Sequence, residues 1–295
     1  MFEQQLINGL TLGMIYALIA VGYTMVYGVI QLINFAHGEI FMLGAFLSVT
    51  FITLFGVPIY LAIFMSMGCC ALLGVMLDIF AYRPLRQSPR LAALITAIGM
   101  SIFLQNLAMI IWGSRPKPFA QEALPDFLKT RALEIGQAGV SWMQVIIFIT
   151  ASTLMIILFL IINKTRVGTA MRALSQNRTS AALMGINVNR VISFTFALGS
   201  SMGAVAGVMV AMYYNSLYPT MGYVAGVKAF AAAVLGGIGS VPGAMVGGIV
   251  LGIAEALGAG YISSLYRDGI AYAVMIAVII FRPSGILGKS TIEKV

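Results

Sequence analysis

The stretch NKTRVGTAMRALSQNRTSAALMGINVNR, residues 163–190, is the longest polar break on the basic side of a very apolar chain. Long apolar segments flank it on both sides, and it contains no Asp or Glu. Its basic residues are Lys164, Arg166, Arg172, Arg178 and Arg190.

Two short helices are predicted inside this stretch. Asn177 is a favourable N-cap for a run over 180–184, and Gly185 is a favourable residue just past its end. The segment 163–190 is therefore expected to be folded and to form a docking surface. The alternative is a solvated loop that only follows the positive-inside rule. The first helix is indicated by an i, i+3, i+4, i+7 pattern at Val167, Ala170, Met171 and Leu174.

The composition is that of an integral membrane protein. Hydrophobic residues make up 60% of the 295 residues and charged residues only 9%, whereas soluble domains carry about 25% charged residues. The apolar runs are long and continuous, which favours helices over the alternating segments of a membrane barrel. The net charge of +8 is concentrated in loops, so we expect a membrane topology signal and no nucleic-acid partner.

Nine apolar segments predict the fold. We expect an all-α polytopic membrane protein with a single domain, 1–295, of about eight or nine transmembrane helices. An external loop is expected over 113–140. The helices should be short or broken in the C-terminal half, because 224–238 and 269–281 are short for a hydrocarbon core about 30 Å thick. The segments are 6–30, 40–55, 59–82, 91–112, 141–162, 191–212, 224–238, 243–257 and 269–281.

Basic residues predict the orientation. Three lie in 83–90, five in 163–190 and three in 282–295, which is eleven of the seventeen Lys and Arg. Alternating spans place these three regions on one face, which the positive-inside rule assigns to the cytoplasm. The N-terminus is then outside and the C-terminus inside.

Glycine spacing predicts close helix contacts. Small residues four apart let helix backbones approach one another. This spacing occurs in the sixth and eighth segments, at Gly199, Gly203, Gly207, Gly243, Gly247, Gly248 and Gly252.

Few strongly polar side chains lie in or beside the spans, and such groups have either a functional or a paired structural role. His37 and Glu39 are expected at the cytoplasmic end of the second span, where they cap a helix, bond to backbone or serve a solute path. Lys228 and Glu255 lie on neighbouring segments and are candidates for an ion pair. The candidates for a translocation path or a structural polar site are Asn34, His37, Glu39, Lys228 and Glu255.

No catalytic, cofactor-binding or metal-binding motif is present in the sequence. The GKS at 288–290 lacks the glycine that a phosphate-binding loop needs, because Pro283 stands at that position. We therefore expect no enzyme activity, and any ATPase must be another chain.

Three stretches carry a family resemblance: MIYALIAVGYTMVYGVIQLINFAHGEIFMLGAF (14–46), RLAALITAIGMSIFLQN (90–106) and KAFAAAVLGGIGSVPGAMVGGIVLGIAEAL (228–257). They resemble the bacterial permease of branched-chain amino-acid ABC importers, the LivH type. The likeness covers nearly the whole chain, with loop 113–140 the least similar.

The resemblance implies a multi-pass protein of the bacterial plasma membrane, a second homologous permease, two cytoplasmic ATPase subunits and a soluble substrate-binding protein. It also implies that 171–191 meets the ATPase, although 180–182 lacks the Glu of the generic EAA signature. The residues expected at this contact are Arg172, Arg178, Ala181, Leu183, Met184, Gly185 and Ile186.

Two other functions remain open from the sequence. One is an ABC permease for another small polar solute, such as urea or an amide. The other is an ion-coupled secondary carrier, which would need a buried coupling site.

Overall fold

The computed structural model describes residues 1–86, 88–120, 124–135, 138–282 and 284–288. A π-helical turn, Asp78–Tyr82, extends α3, and 3-10 turns precede β1 and α11 at Asp126–Lys129 and Ser264–Tyr266. The helices and strands are α1 (Phe2–Ile30), α2 (His37–Phe55), α3 (Ile59–Leu77), α4 (Arg90–Trp112), β1 (Arg131–Ile135), β2 (Ala138–Ser141), α5 (Trp142–Lys164), α6 (Arg166–Gln176), α7 (Arg178–Leu183), α8 (Val188–Tyr214), α9 (Met221–Gly236), α10 (Val241–Tyr261) and α11 (Arg267–Phe281).

Eight helices in the described part of the chain are long and apolar enough to cross a membrane. This confirms the all-α polytopic class. α9 has 16 residues, about 24 Å of helix, so the predicted short helix in the C-terminal half is also confirmed. The expectation for 269–281 is corrected, because the preceding turn lengthens that span to 18 residues, Ser264–Phe281.

Local sequence sets the helix boundaries. Gly56 ends α2 in the left-handed conformation, with φ of 63°, which glycine adopts without strain. Ser141 and Gln144 form a capping box that starts α5. At the start of α10, the Ser240 hydroxyl accepts a hydrogen bond from the Gly243 N–H at 3.2 Å.

α1 is the central helix and packs against α10 through small residues. A Cβ added to Gly252 would meet the backbone of Gly13, and one added to Gly248 would meet Ala17. On the other side of the core, a Cβ at Gly207 of α8 would meet the Phe41 carbonyl of α2. The predicted role of the glycine spacing in close helix contacts is confirmed at these positions.

The outer shell is formed by α3, α4, α5 and α11. In the most apolar part of each of these spans, less than a quarter of the residues are buried inside the protein. Large apolar side chains such as Phe64, Ile110, Ile157 and Ile280 are exposed on these helices. Contiguous exposed apolar surface of this extent suits lipid or a neighbouring membrane subunit.

The described parts of the three predicted basic regions meet at one end of the bundle, which we call the basic end: 83–86, 163–190, and residue 282 with 284–288. Lys289 and Lys294 of the third region lie outside the described residues. Arg86 donates a hydrogen bond to Asn189 Oδ1 at 2.6 Å, and the Ile286 N–H donates to the Leu235 carbonyl at 2.8 Å. This agrees with the predicted alternation of the spans. The GKS motif at 288–290 extends beyond the described residues.

The opposite end, the hairpin end, carries the N-terminus and the described parts of loop 113–140. β1 and β2 form an antiparallel hairpin, pairing Ile135 with Ala138. The Gly139 N–H donates to Gln4 Oε1 at 3.0 Å. The loop is therefore partly ordered as sheet.

The chain between α1 and α2, residues 31–36, enters the bundle instead of staying at its end. Gly22 lies directly against His37, since a Cβ added there would be 2.5 Å from His37 Nε2. Gly22 is eight residues before the end of α1, or about 12 Å along the helix. His37 is the first residue of α2, as the sequence predicted, but close packing against glycine places this end of the helix in the interior of the bundle.

The first turns of α2 and α9 meet there. A Cβ on Gly222 would lie 2.7 Å from the Gly38 carbonyl and 2.5 Å from Glu39 Oε2. α2, in the N-terminal half, thus begins inside the bundle, a feature that the sequence did not predict.

Candidate functional site

The segment 163–190 folds as predicted into two short helices. α6 is amphipathic and buries Met171 and Leu174. The Asn177 side chain caps α7 by accepting from the Ser180 N–H at 3.0 Å. Gly185 follows with φ of 83°, and the Ile186 N–H returns to the Ala181 carbonyl at 3.1 Å.

The exposed apolar surface of this segment is smaller than expected. Leu183 is 84% exposed and Met184 83% exposed, and Gly185 is exposed beside them. Ala181, by contrast, is buried, and Ile186 packs on the same core. The expectation that Ala181 is available for the ATPase contact is wrong, because its side of α7 is buried in a cluster with residues of α6 and α8.

The two arginines of the expected contact bond to this chain's own backbone. Arg178 is half-buried and donates to the Ile30 carbonyl at the end of α1. Burial and the nearby Arg86 charge lower the pKa of the Arg178 guanidinium, which still stays protonated. Arg172 is exposed and donates to the Ile162 carbonyl and the Thr169 hydroxyl. Arg178 therefore links α7 to α1 and is only partly accessible for the expected ATPase contact.

The buried carboxylate of Asp78 joins the basic region 83–86 to the bundle. Asp78 is fully buried and forms ion pairs with Arg86 and, at 3.5 Å, with Arg83. Its Oδ2 also accepts from the Ser193 hydroxyl at 2.6 Å. The charge is compensated on several sides, as a buried carboxylate requires, so loop 83–86 is held against the first turns of α8.

His37, Glu39 and their neighbours form the interior polar site, where the first turns of α2 and α9 meet. The Glu39 carboxylate accepts from the Ser101 hydroxyl of α4 at 2.9 Å, and α2 has no side-chain cap. The capping alternative is therefore wrong, whereas His37 does hydrogen-bond to backbone, at Ile19. The Tyr23 ring lies edge-on to the His37 ring at 4.8 Å. Among the described residues, His37 Nε2 and Glu39 Oε2 find no hydrogen-bond partner.

Asn34 lies in the non-helical link 31–36 that leads to this site, and a residue near the basic end, Tyr82, holds its side chain. The Tyr82 hydroxyl donates to Asn34 Oδ1 at 2.8 Å, and the Tyr82 ring packs on Phe196 at 5.2 Å. This contact joins the link 31–36 to the core beneath the segment 163–190.

A cavity of about 560 Å³ opens beside the interior polar site. Its polar lining includes Ser101, Gln105 and Thr220, which sequence reasoning missed. Neutral polar side chains are common within apolar runs, so the sequence pattern did not mark these three as site residues. The cavity has apolar walls and a few polar groups, as small-molecule sites have.

Lys228 and Glu255 are in contact, as their positions on neighbouring helices suggested. Lys228 Nζ lies 2.9 Å from Glu255 Oε1 and 2.6 Å from Asp268 Oδ1. Arg267 also pairs with Glu255 and donates to the Tyr214 hydroxyl. We call Lys228, Glu255, Arg267 and Asp268 the ion cluster. Arg267 and Asp268 were not predicted as part of this site, although two charged residues beside the last span were a usable signal.

Long apolar helices, glycine-packed contacts and buried polar groups beside cavities define a polytopic α-helical membrane protein. The family profile described as "Branched-chain amino acid transport system / permease component" matches residues 5–279. This chain belongs to that family.

Individual relatives agree with the profile. The chain is 46% identical to the high-affinity branched-chain amino acid transport system permease protein BraD of Pseudomonas aeruginosa, over all of this chain and 98% of that one. It is 45% identical to LivH of Escherichia coli, of the same description, with the same coverage. It is 28% identical to the ribose import permease protein RbsC of Haemophilus influenzae, over 89% of this chain and 79% of that one.

Proposed function

We propose that this chain is the membrane-spanning permease subunit of an ATP-driven importer for branched-chain amino acids. The observation that supports this most is the identity of 45–46% over the whole chain to permeases with that substrate in their names. The 28% identity to a ribose permease indicates that the same architecture also serves other polar solutes, so the substrate is the part that needs the sharpest test.

Such an importer needs three kinds of partner protein. A second homologous permease completes the translocation path, two cytoplasmic ATPases supply the energy, and a soluble binding protein delivers the amino acid. The exposed pair Leu183 and Met184 at the basic end supports ATPase docking there. Two adjacent exposed apolar side chains within a polar segment are suited to fill an apolar groove on a partner protein.

ATP-driven uptake tests this function. The chain, coexpressed with its second permease, ATPases and binding protein, is reconstituted in vesicles. We expect leucine accumulation only with ATP on the ATPase side and binding protein on the other, and competition by valine and isoleucine but not by urea or ribose. Accumulation driven by a proton or sodium gradient without ATP would instead show that the chain is an ion-coupled secondary carrier. Competition by urea or ribose would reassign the substrate.

We also propose that the basic end faces the cytoplasm of a bacterial plasma membrane, with the N-terminus outside and the C-terminus inside. The three basic regions that meet there support this through the positive-inside rule.

Cysteine labelling tests the orientation. In a background without Cys69 and Cys70, we expect Ser88→Cys and Ser175→Cys to react with a membrane-impermeant maleimide only in inside-out vesicles. Ser114→Cys, at the hairpin end, should react only in right-side-out cells. Labelling of Ser175→Cys from outside the cell would overturn both the orientation and ATPase docking at 163–190. The tail position Ser290 lies outside the described residues.

A further inference from the structure

A second cavity, of about 420 Å³, opens at the hairpin end within this single chain. It lies between α1, α2, α8, α9 and α11, and the volume is in the range of small-molecule sites. Its lining includes Tyr218, Val224, Lys228, Arg267 and Asp268. The cavity is thus bounded on one side by the ion cluster.

The polar side of this cavity carries both signs of charge. Lys228 is buried, and its ammonium touches Asp268 at 2.6 Å. Glu255 is fully buried; its Oε1 accepts from Lys228, Arg267 and the Tyr16 hydroxyl, and its Oε2 has no hydrogen-bond partner among the described residues. The Asp268 side chain is 55% exposed, so it is the most exposed member of the ion cluster.

The opposite side of the cavity is apolar. Leu12, Phe41 and Met221 are buried in the protein and present only hydrocarbon and aromatic surface. A ligand that fits both sides has a cationic and an anionic group close together at one end and an aliphatic group at the other.

We propose that this cavity binds the transported amino acid as a zwitterion, with its carboxylate on Lys228, its ammonium on Asp268 and its aliphatic side chain on Leu12, Phe41 and Met221. The substrate class rests on the proposed function. The ligand inserts between Lys228 and Asp268 and replaces one ion pair with two, so no buried charge is left unpaired. A neutral sugar or urea has no charges to complete these pairs. This site lies inside one permease chain, apart from any path between two permeases.

Three probes distinguish the two charged contacts: L-leucine, 4-methylpentanoate, which lacks the ammonium, and 3-methylbutylamine, which lacks the carboxylate. Binding is measured on the assembled transporter in nanodiscs, without the binding protein. We expect the wild-type chain to bind leucine about tenfold or more tightly than either analogue, because each analogue loses a charge-assisted hydrogen bond.

Asp268→Asn is expected to weaken leucine binding about tenfold and to reduce the preference for leucine over 4-methylpentanoate. The matched control is Glu134→Gln, which removes an exposed carboxylate at the same end and should change nothing. Ala225→Phe fills the cavity without altering the ion cluster and should abolish leucine binding with unfolding temperature retained. Normal leucine affinity in both Asp268→Asn and Ala225→Phe would overturn the site. If ATP-driven leucine uptake persists in that case, only this site fails and the proposed function stands.

Discussion

Replacing Lys228 by Met is expected to lower the free energy of unfolding by about 3–5 kcal/mol, the cost of leaving a buried carboxylate without its partner. Lys228 has an exposed side-chain fraction of only 6% and contacts both Glu255 and Asp268. Without the ammonium, two carboxylates share the single positive charge of Arg267. The measurement is denaturant or thermal unfolding of the purified chain in detergent.

The double variant Lys228→Met with Glu255→Gln should recover part of this loss. Arg267 and Asp268 then balance each other, and the Gln amide still hydrogen-bonds to its neighbours. Arg131→Met is the control, because it removes a cation from an exposed ion pair with Glu134, worth about 0–1 kcal/mol. Strictly additive effects of Lys228→Met and Glu255→Gln would show that the two groups do not couple.

Gly185→Val is expected to reduce both ATPase retention and ATP-driven uptake about tenfold or more, the scale of losing one anchor at an interface. Gly185 has φ of 83°, which a β-branched residue resists. Forcing φ negative displaces Leu183 and Met184 from the end of α7. A Cβ at this position meets nothing within 4 Å, so backbone strain is the only direct effect.

Gly113→Val is the matched control for this change. Gly113 has φ of 85°, and a Cβ there also meets nothing within 4 Å, but it lies near the hairpin end. It should also be strained, because ψ of 165° places Gly113 in a region that essentially only glycine adopts, yet it should insert in the membrane and retain the ATPases. If Gly185→Val holds the ATPases and transports as well as Gly113→Val does, the segment 163–190 acts only as a topology signal.

The local features of this chain were predictable because they depend on nearby residues. The two helices of 163–190 followed from the spacing of Met171 and Leu174 and from the capping residue Asn177. The directions in which α7 presents its side chains were not predictable. A helix of six residues is too short to establish a periodic face, so the buried position of Ala181 emerged only with the packing.

The depth of the interior polar site was also beyond sequence reasoning. The break at 31–36 has the composition of a loop between spans, which gave no sign that His37, the first residue of α2, would lie inside the bundle. Its interior position depends on the closeness of Gly22 and Gly222 to the first turn of α2, a tertiary contact between residues far apart in sequence. The Lys228–Glu255 contact was predictable because few other groups were present to compensate a charge in these helices.

Photo-crosslinking from Leu183 tests most directly whether this chain is a permease that an ATPase drives through the segment 163–190. A benzophenone amino acid is placed at Leu183 or, in a separate variant, at Leu265 of the hairpin end, which has the same exposed fraction of 84%. Cells that express the whole transporter are then irradiated. We predict an adduct with the ATPase from position 183 and none from position 265. No ATPase adduct from position 183, or equal adducts from both positions, would contradict it.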